Sequence, residues 1–457
     1  MRKLFSIKYF KLTLFKIIKM SLCFFKKSFL LIFGIIIFAF PSRSQVIVDD
    51  YYNTNFLRYE NYTYKNNIKT ILFHKDGWEL TPPLILFQSN DKLKLSFDDL
   101  NGNIQSYKYT IIHCDGDWKP SDLIPSEYID GFTDDNISTY SYSFNTIQPF
   151  IHYDAFLPNE NLRITKSGNY LLKVYIDENP EDVIFTRRFM VYENLVNVTG
   201  TIKPATVIED KYSKQEIDFV INTGSYSISN AYSDLKVVIT QNDRWDNSIG
   251  NLKPKFVRNN ELVYDFEDGN VFNGGSEFRK FDMKSLKYQT AWVRKSFRDS
   301  LGNQVYLMTD LKRSFNVYSS DQDINGRRLI KTEDYDNTDI EADYAYVHFI
   351  LPYTEPLIDG SLYVYGGLSD WGFSKDNIMQ YNYKKLCYEA TIFLKQGYYN
   401  YEYVFVKNGE NVGDESFIEG SHYETENDYT IYVYHRQPGT LFDKLIGVKT
   451  MNSVRQK

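Results

Sequence analysis

Ser106–Gly131, SYKYTIIHCDGDWKPSDLIPSEYIDG, decides how this chain is read. Tyr107, Tyr109, Ile111 and His113 alternate with Lys108, Thr110 and Ile112, the period of two that marks a half-buried β-strand. The strand then delivers a loop dense in Asp, Pro, Ser and Trp, as a scaffold presenting a surface feature would. His113, Cys114, Asp115 and Asp117 crowd together at its start. They invite a metal or catalytic assignment, but adjacent strand residues point to opposite faces, so His113 and Cys114 diverge. A zinc site needs three or four converging ligands. A strand end leading into an Asx-type turn is the simpler expectation.

The same alternation recurs outward from this stretch. Lys69–His74, Leu84–Phe87, Leu93–Phe97, Ser138–Phe144, Asn169–Asp177 and Val183–Tyr192 are predicted strands of a first sandwich at residues 45–195. Asn101-Gly102 is a hairpin signal between Leu93–Phe97 and Ser106–His113. A second β-rich domain at 196–319 holds Ile217–Ile221, Leu235–Thr240, Glu261–Phe266 and Lys312–Tyr318. There Thr201–Pro204 looks like a junction and Gln241–Asn251 like an exposed loop. Residues 320–343, rich in acids, form a linker. Ala345–Leu351, Ser361–Gly366, Leu386–Phe393, Tyr398–Val406 and Thr430–His435 make a C-terminal immunoglobulin-like domain at 344–440, and 441–457 is a tail. The fold class expected is all-β, tandem antiparallel β-sandwiches.

The ends and the composition set the compartment. Residues 1–28 carry eight Lys/Arg and no acid, Phe29–Phe40 is uninterruptedly apolar, and Pro41 precedes Ser42-Arg43-Ser44. This is the pattern of a cleaved signal peptide at 1–44, with an uncleaved anchor as the alternative and Met20 as a second candidate start. The apolar run is shorter than the roughly 20 residues a spanning helix needs. No Cys follows at a lipoprotein position. Nine of the 52 Lys/Arg lie in 1–44, so the remainder carries 43 basic against 59 acidic residues, a net charge of −16. That disfavours nucleic acid as a partner. Cys114 and Cys387 are too far apart to suggest a disulfide framework or a metal spacing. No nucleophile elbow, zincin, P-loop or dinucleotide motif appears, so no catalytic, cofactor or metal residues are assigned.

Leu362–Trp371, LYVYGGLSDW, and the following Ala390–Tyr401 resemble glycogen-binding carbohydrate modules. In that alternative Trp371 and Tyr401 would stack on sugars; packing in the sandwich core is the competing reading. Three stretches together carry a broader resemblance: DWKPSDLIPSEYIDGF from Asp117, IEGSHYETENDYTIYVYH from Ile418, and LYVYGGLSDW. With these the chain resembles the type IX secretion system plug proteins. The resemblance implies a non-enzymatic periplasmic protein without cofactor, a monomer within a complex. It would dock on the periplasmic side of the giant outer-membrane translocon barrel and close its pore. The expected docking loop has Trp118 as anchor, Lys119, Asp122 and Glu127 as rim, and Tyr128 as a second hot spot. Core packing of Trp118 is the alternative. A second candidate segment is flanked by Tyr423 and Tyr429.

Overall fold

Alternating apolar residues drive the strands into two-layered sandwiches, each closed around its own core. The computed structural model describes residues 56–454 apart from positions 178 and 268. The leader expected at 1–44 lies outside the described residues. Every element below belongs to one compact unit, Leu57–Lys457.

In the first sandwich, Tyr107–Cys114 lies between Gly168–Ile176 and Asp134–Ile137, and the sheet continues through Asn179–Tyr192 to Tyr62–Thr63. The facing sheet orders Ile68–Lys75, Leu93–Asp99, Ile151–Leu157 and Thr139–Tyr142. Phe97, Tyr107, Tyr153 and Phe185 meet between the layers, with Phe97 stacked on Tyr153 at 5.1 Å. The Asn101-Gly102 turn does not make a hairpin. Leu93–Asp99 and Tyr107–Cys114 lie in different sheets, and the turn carries the chain from one layer to the other. Thr139–Tyr142 falls within the expected Ser138–Phe144 strand, and the chain changes layers just before it, since Asp134–Ile137 belongs to the other sheet.

The linear domain order gives way to strand exchange. The middle sandwich pairs Ile249–Leu252, Leu235–Gln241, Asp428–His435 and Lys444–Asn452 in one sheet, so two of its strands come from the chain's C-terminal end. Its other sheet is built on Asn197–Pro204 and Lys214–Asn222. Thr201–Pro204 is therefore strand rather than junction, and the expected tail at 441–457 contributes Lys444–Asn452. The third sandwich takes Arg279–Asp282, Val293–Asp299 and Gly302–Leu307 from the stretch assigned to the second domain. Gly302–Leu307 runs parallel to Tyr344–Pro352, and Leu84–Leu86 runs parallel to Asn179–Tyr192; these two pairings depart from the antiparallel expectation. Lys312–Tyr318 forms no strand.

The acidic linker is mortar between sandwiches. Arg328–Ile330 pairs with Gly397–Lys407. Arg327 binds Asp243 and Asp428, while Arg328 donates to the Ile71 carbonyl at 2.8 Å and to Asp370 at 3.1 Å. Asp370 also holds the buried Arg187 of the first sandwich at 2.8 Å. The Gln241–Asn251 loop is likewise partly internal. Arg244 is buried, paired with Asp246 and Glu415, and lies 4.6 Å over the Trp371 ring.

One buried charge network ties the first sandwich to the third. Asp98 accepts from Lys395 Nζ at 2.7 Å, from Tyr344 Oη at 2.6 Å, and contacts His152 Nδ1 at 2.6 Å. Burial alone would raise the Asp98 carboxyl, but Lys395 and His152 more than offset it and hold it below the usual range. Burial opposes a charged His152, yet Asp154 and Asp98 outweigh it and push the imidazole up to about 9.

Removing one member of a buried pair strands the other charge, so Lys395→Met should cost about 3–5 kcal/mol in denaturant unfolding. Lys108→Met, which breaks a solvent-screened pair with Asp177, should leave the unfolding midpoint almost unchanged. Equal losses would contradict this ranking. His152 has a folded-state value above its ordinary 6.5. Its contribution is therefore complete below about pH 6.5 and lost as pH rises through about 9. The stability of His152→Gln, followed from pH 6 to 10, should fall less steeply than that of the parent chain.

Candidate docking surface

Asp115 shapes the loop that follows Tyr107–Cys114. Its carboxylate accepts the amides of Asp117 at 2.8 Å and Lys119 at 3.0 Å, and its own amide donates to the Lys119 carbonyl. This Asx turn reverses the chain within five residues, with Trp118 in the left-handed region at φ 64°. Gly116 sits against the middle sandwich, its amide donating to Asp443 at 2.8 Å, and Asp117 pairs with Lys236.

The turn drives Trp118 inward. The indole is 4% exposed, packs edge-on to Trp245 at 5.0 Å, and is covered by the Arg188 guanidinium at 4.5 Å. Leu171, Met190, Val238, Tyr432, Tyr434 and Leu445 complete the cluster, which joins the first and middle sandwiches. Trp118 is thus an interdomain core residue rather than an exposed anchor. Tyr128 is corrected in the same way: it is buried beside His113 and Tyr170, and its hydroxyl donates to the Ile111 carbonyl at 3.3 Å. Glu127 is exposed, but its carboxylate caps the Pro125–Tyr128 turn by accepting the Ile124 amide at 2.9 Å. Lys119 and Asp122 remain exposed. The apolar side chains that do face solvent here are Ile124 and Phe132, 61% and 68% exposed.

The crowded His113–Asp117 cluster disperses as strand geometry requires. His113 faces Tyr128, Tyr170 and Phe442, with its ring nitrogens at 2.9 Å from Ser121 Oγ and 3.2 Å from the Ser167 carbonyl. Burial pushes it down to about 4, so it is neutral. Gly168, at φ 137°, must lack a side chain because a Cβ would lie 2.6 Å from His113 Nε2. Cys114 points the other way into the Trp118 cluster, where burial pushes its thiol up to about 12. The protonated thiol is a poor nucleophile and ligand, and on the opposite face both His113 ring nitrogens are already taken by Ser121 and Ser167.

The second segment is structural too. Tyr429 is fully buried, its hydroxyl donating to Gln215 at 2.6 Å. Tyr423 is half-buried, and its carbonyl accepts from Gln215 at 2.6 Å. The sugar-stacking alternative meets the same obstacle. Tyr401 is buried with its hydroxyl on Asp310 at 2.7 Å, and Trp371 is half-buried between Arg244, Phe278 and Tyr365. Among the described residues two groups carry metal-ligand chemistry: His152, Asp154 and Asp339, and Glu216, Asp218 and Asp265. Lys94 is 3.2 Å from Asp154 and 3.4 Å from Asp339, and Lys203 is 3.1 Å from Glu216, so an ammonium already balances each.

Sequence reasoning missed Ile124 and Phe132 because the larger Trp118 and Tyr128 drew the assignment. The signal available was the Asp115 Asx turn, which commits residue 118 to one side.

Trp118→Ala should lower stability by roughly 3–5 kcal/mol, the cost of emptying a large buried aromatic site. Unchanged stability with lost partner binding would restore the anchor.

Residues 68–193, essentially the first sandwich, match the model of the type 9 secretion system plug protein 1st domain. No curated protein matches the chain. The crystal structure of a hypothetical protein from Parabacteroides merdae superposes with a TM-score of 0.84 at 35% identity, covering 87% of this chain and all of that one. Among the described residues no helix is long and apolar enough to cross a membrane. The chain belongs to one family with the Parabacteroides merdae protein, and carries at residues 68–193 the first domain of the type 9 secretion system plug protein family.

Proposed function

We propose that this chain is a non-enzymatic plug of the type IX secretion translocon, docking on the periplasmic side of the outer-membrane barrel and closing its pore. The plug-domain match at 68–193 carries the reading. The architecture supports it physically. A plug must cap a wide aqueous channel without being drawn through it or unfolding into it. A compact unit of 401 residues has a radius of gyration of about 21 Å. Strand exchange between the middle and third sandwiches resists separation of the three cores, together with the Asp98–Lys395 and Arg187–Asp370 pairs between the first and third and the Arg327–Asp428 pair between the third and middle.

The surface around Lys119, Asp122, Ile124 and Phe132 is the favoured docking site. It combines two exposed apolar side chains with a charged rim, on a loop pinned by the Asp115 turn. Such an interface is specific yet releasable, because its apolar core is small and its rim polar.

Tagged protein should recover a very large β-barrel from outer membranes. Ile124→Ser with Phe132→Ser should weaken that capture about tenfold or more while leaving the melting temperature within a few degrees, since neither side chain is buried. Recovery of glycans alone, or of nothing, would remove the plug reading. Barrel capture undiminished by the double variant would move the docking site elsewhere.

A further inference from the structure

The register of the third sandwich gathers exposed apolar side chains at one end. Trp292 precedes Val293–Asp299, whose first residue pairs with Leu307. The chain leaving Leu307 runs beside Ile350, to whose carbonyl the Asp310 amide donates. Tyr383 follows Asn382, which pairs with Cys387, itself opposite Pro352. Ile358 precedes Gly360, which pairs with Lys407 at the turn holding Val412. The 353–359 connection lies at this end, and Lys312, 4.2 Å from the Phe417 ring and 5.5 Å from that of Phe315, brings the 311–317 segment beside it.

The side chains there stand out rather than forming a groove. Phe315 and Val317 are each 91% exposed and Ile358 is 89% exposed, with Leu311 and Val412 also open to water. Their supports are firm. Arg313 pairs with Glu419 and donates to the Glu277 carbonyl, and the Tyr318 hydroxyl donates to Glu277 at 2.6 Å, clamping both sides of Phe315–Val317. Trp292 and Tyr383 form an aromatic rim. Lys312, Lys384, Lys385 and Lys407 stand beside the tips; Lys385 pairs with Glu389 and Lys407 reaches Glu410. Glu355 and Asp359 offset Lys312 and Lys384, so this end is near neutral on a chain of net −16 beyond residue 44. A near-neutral end limits repulsion by an anionic surface.

We propose that this end inserts into the interfacial layer of a phospholipid membrane. Separate loops raising single Phe, Val, Ile and Leu side chains suit acyl-chain insertion better than a protein interface, which needs a packed, continuous patch. Trp and Tyr belong at the headgroup level, and lysines extend their ammonium groups to it while their stems lie among the tips.

Protein lacking residues 1–44, whose folded unit Leu57–Lys457 is intact, is floated with vesicles of phosphatidylethanolamine and phosphatidylglycerol in equal parts. The chain should float, and brominated lipids should quench tryptophan fluorescence in the parent but much less in Trp292→Phe. Phe315→Ser with Val317→Ser should reduce partitioning about tenfold or more, since each side chain loses its burial gain. Unchanged melting would show that this variant is folded. Failure to float, or floating unchanged in the double variant, would overturn the proposal. So would a double variant that loses capture of the outer-membrane barrel while the parent never binds vesicles, because the end would then be a protein interface. The vesicles contain no barrel, so this result is independent of the plug reading.

Discussion

The pairing of Leu235–Gln241 with Asp428–His435 governs this architecture. Seven backbone positions from segments nearly two hundred residues apart share one ladder, and Lys444–Asn452 closes the far side. The Asp428–His435 strand is buried on both faces. Tyr429, Ile431 and Val433 fill the middle core, while Tyr432 and Tyr434 reach the Trp118 cluster. The middle sandwich cannot be completed until the C-terminal segment is available, and a cut at 319 or 343 would separate a strand from its partner. Such non-local pairing is slow to form, and it makes one mechanical unit of three cores.

Strands with one buried face were legible in the sequence, but their partners were not, and Asn197–Pro204, Arg328–Ile330 and Lys444–Asn452 lay in stretches read as junction, linker and tail. Period-two alternation marks Tyr107–Cys114, Gly168–Ile176 and Cys387–Lys395 because each has a buried face. Nothing in DYTIYVYH says which sandwich it joins, because a strand buried on both faces reads as a continuous apolar run whatever its neighbours. Asn101-Gly102 is a sound turn signal, yet a tight turn can also bridge two layers. Lys312–Tyr318 carries Phe, Val and Tyr at strand-like spacing, but the alternation serves display, with Phe315 and Val317 outward and Tyr318 held by Glu277.

The candidate site shows the same division. In the Asp115–Asp130 loop the Asx turn is encoded locally. Which aromatic points outward depends on Trp245, Arg188 and Tyr432, all contributed from elsewhere in the chain. Trp118 therefore welds two sandwiches together, leaving Ile124 and Phe132 as the exposed apolar pair. The His113 and Cys114 chemistry dissolves for a local reason, since neighbouring strand residues face different cores.

Closure of a wide pore is read out by its conductance. The purified translocon barrel would be reconstituted in a planar bilayer, with this protein added to its periplasmic side. The open-barrel conductance should fall in proportion to the protein bound and recover when it is washed away. Conductance that stays at the open level with the protein demonstrably bound would contradict pore closure.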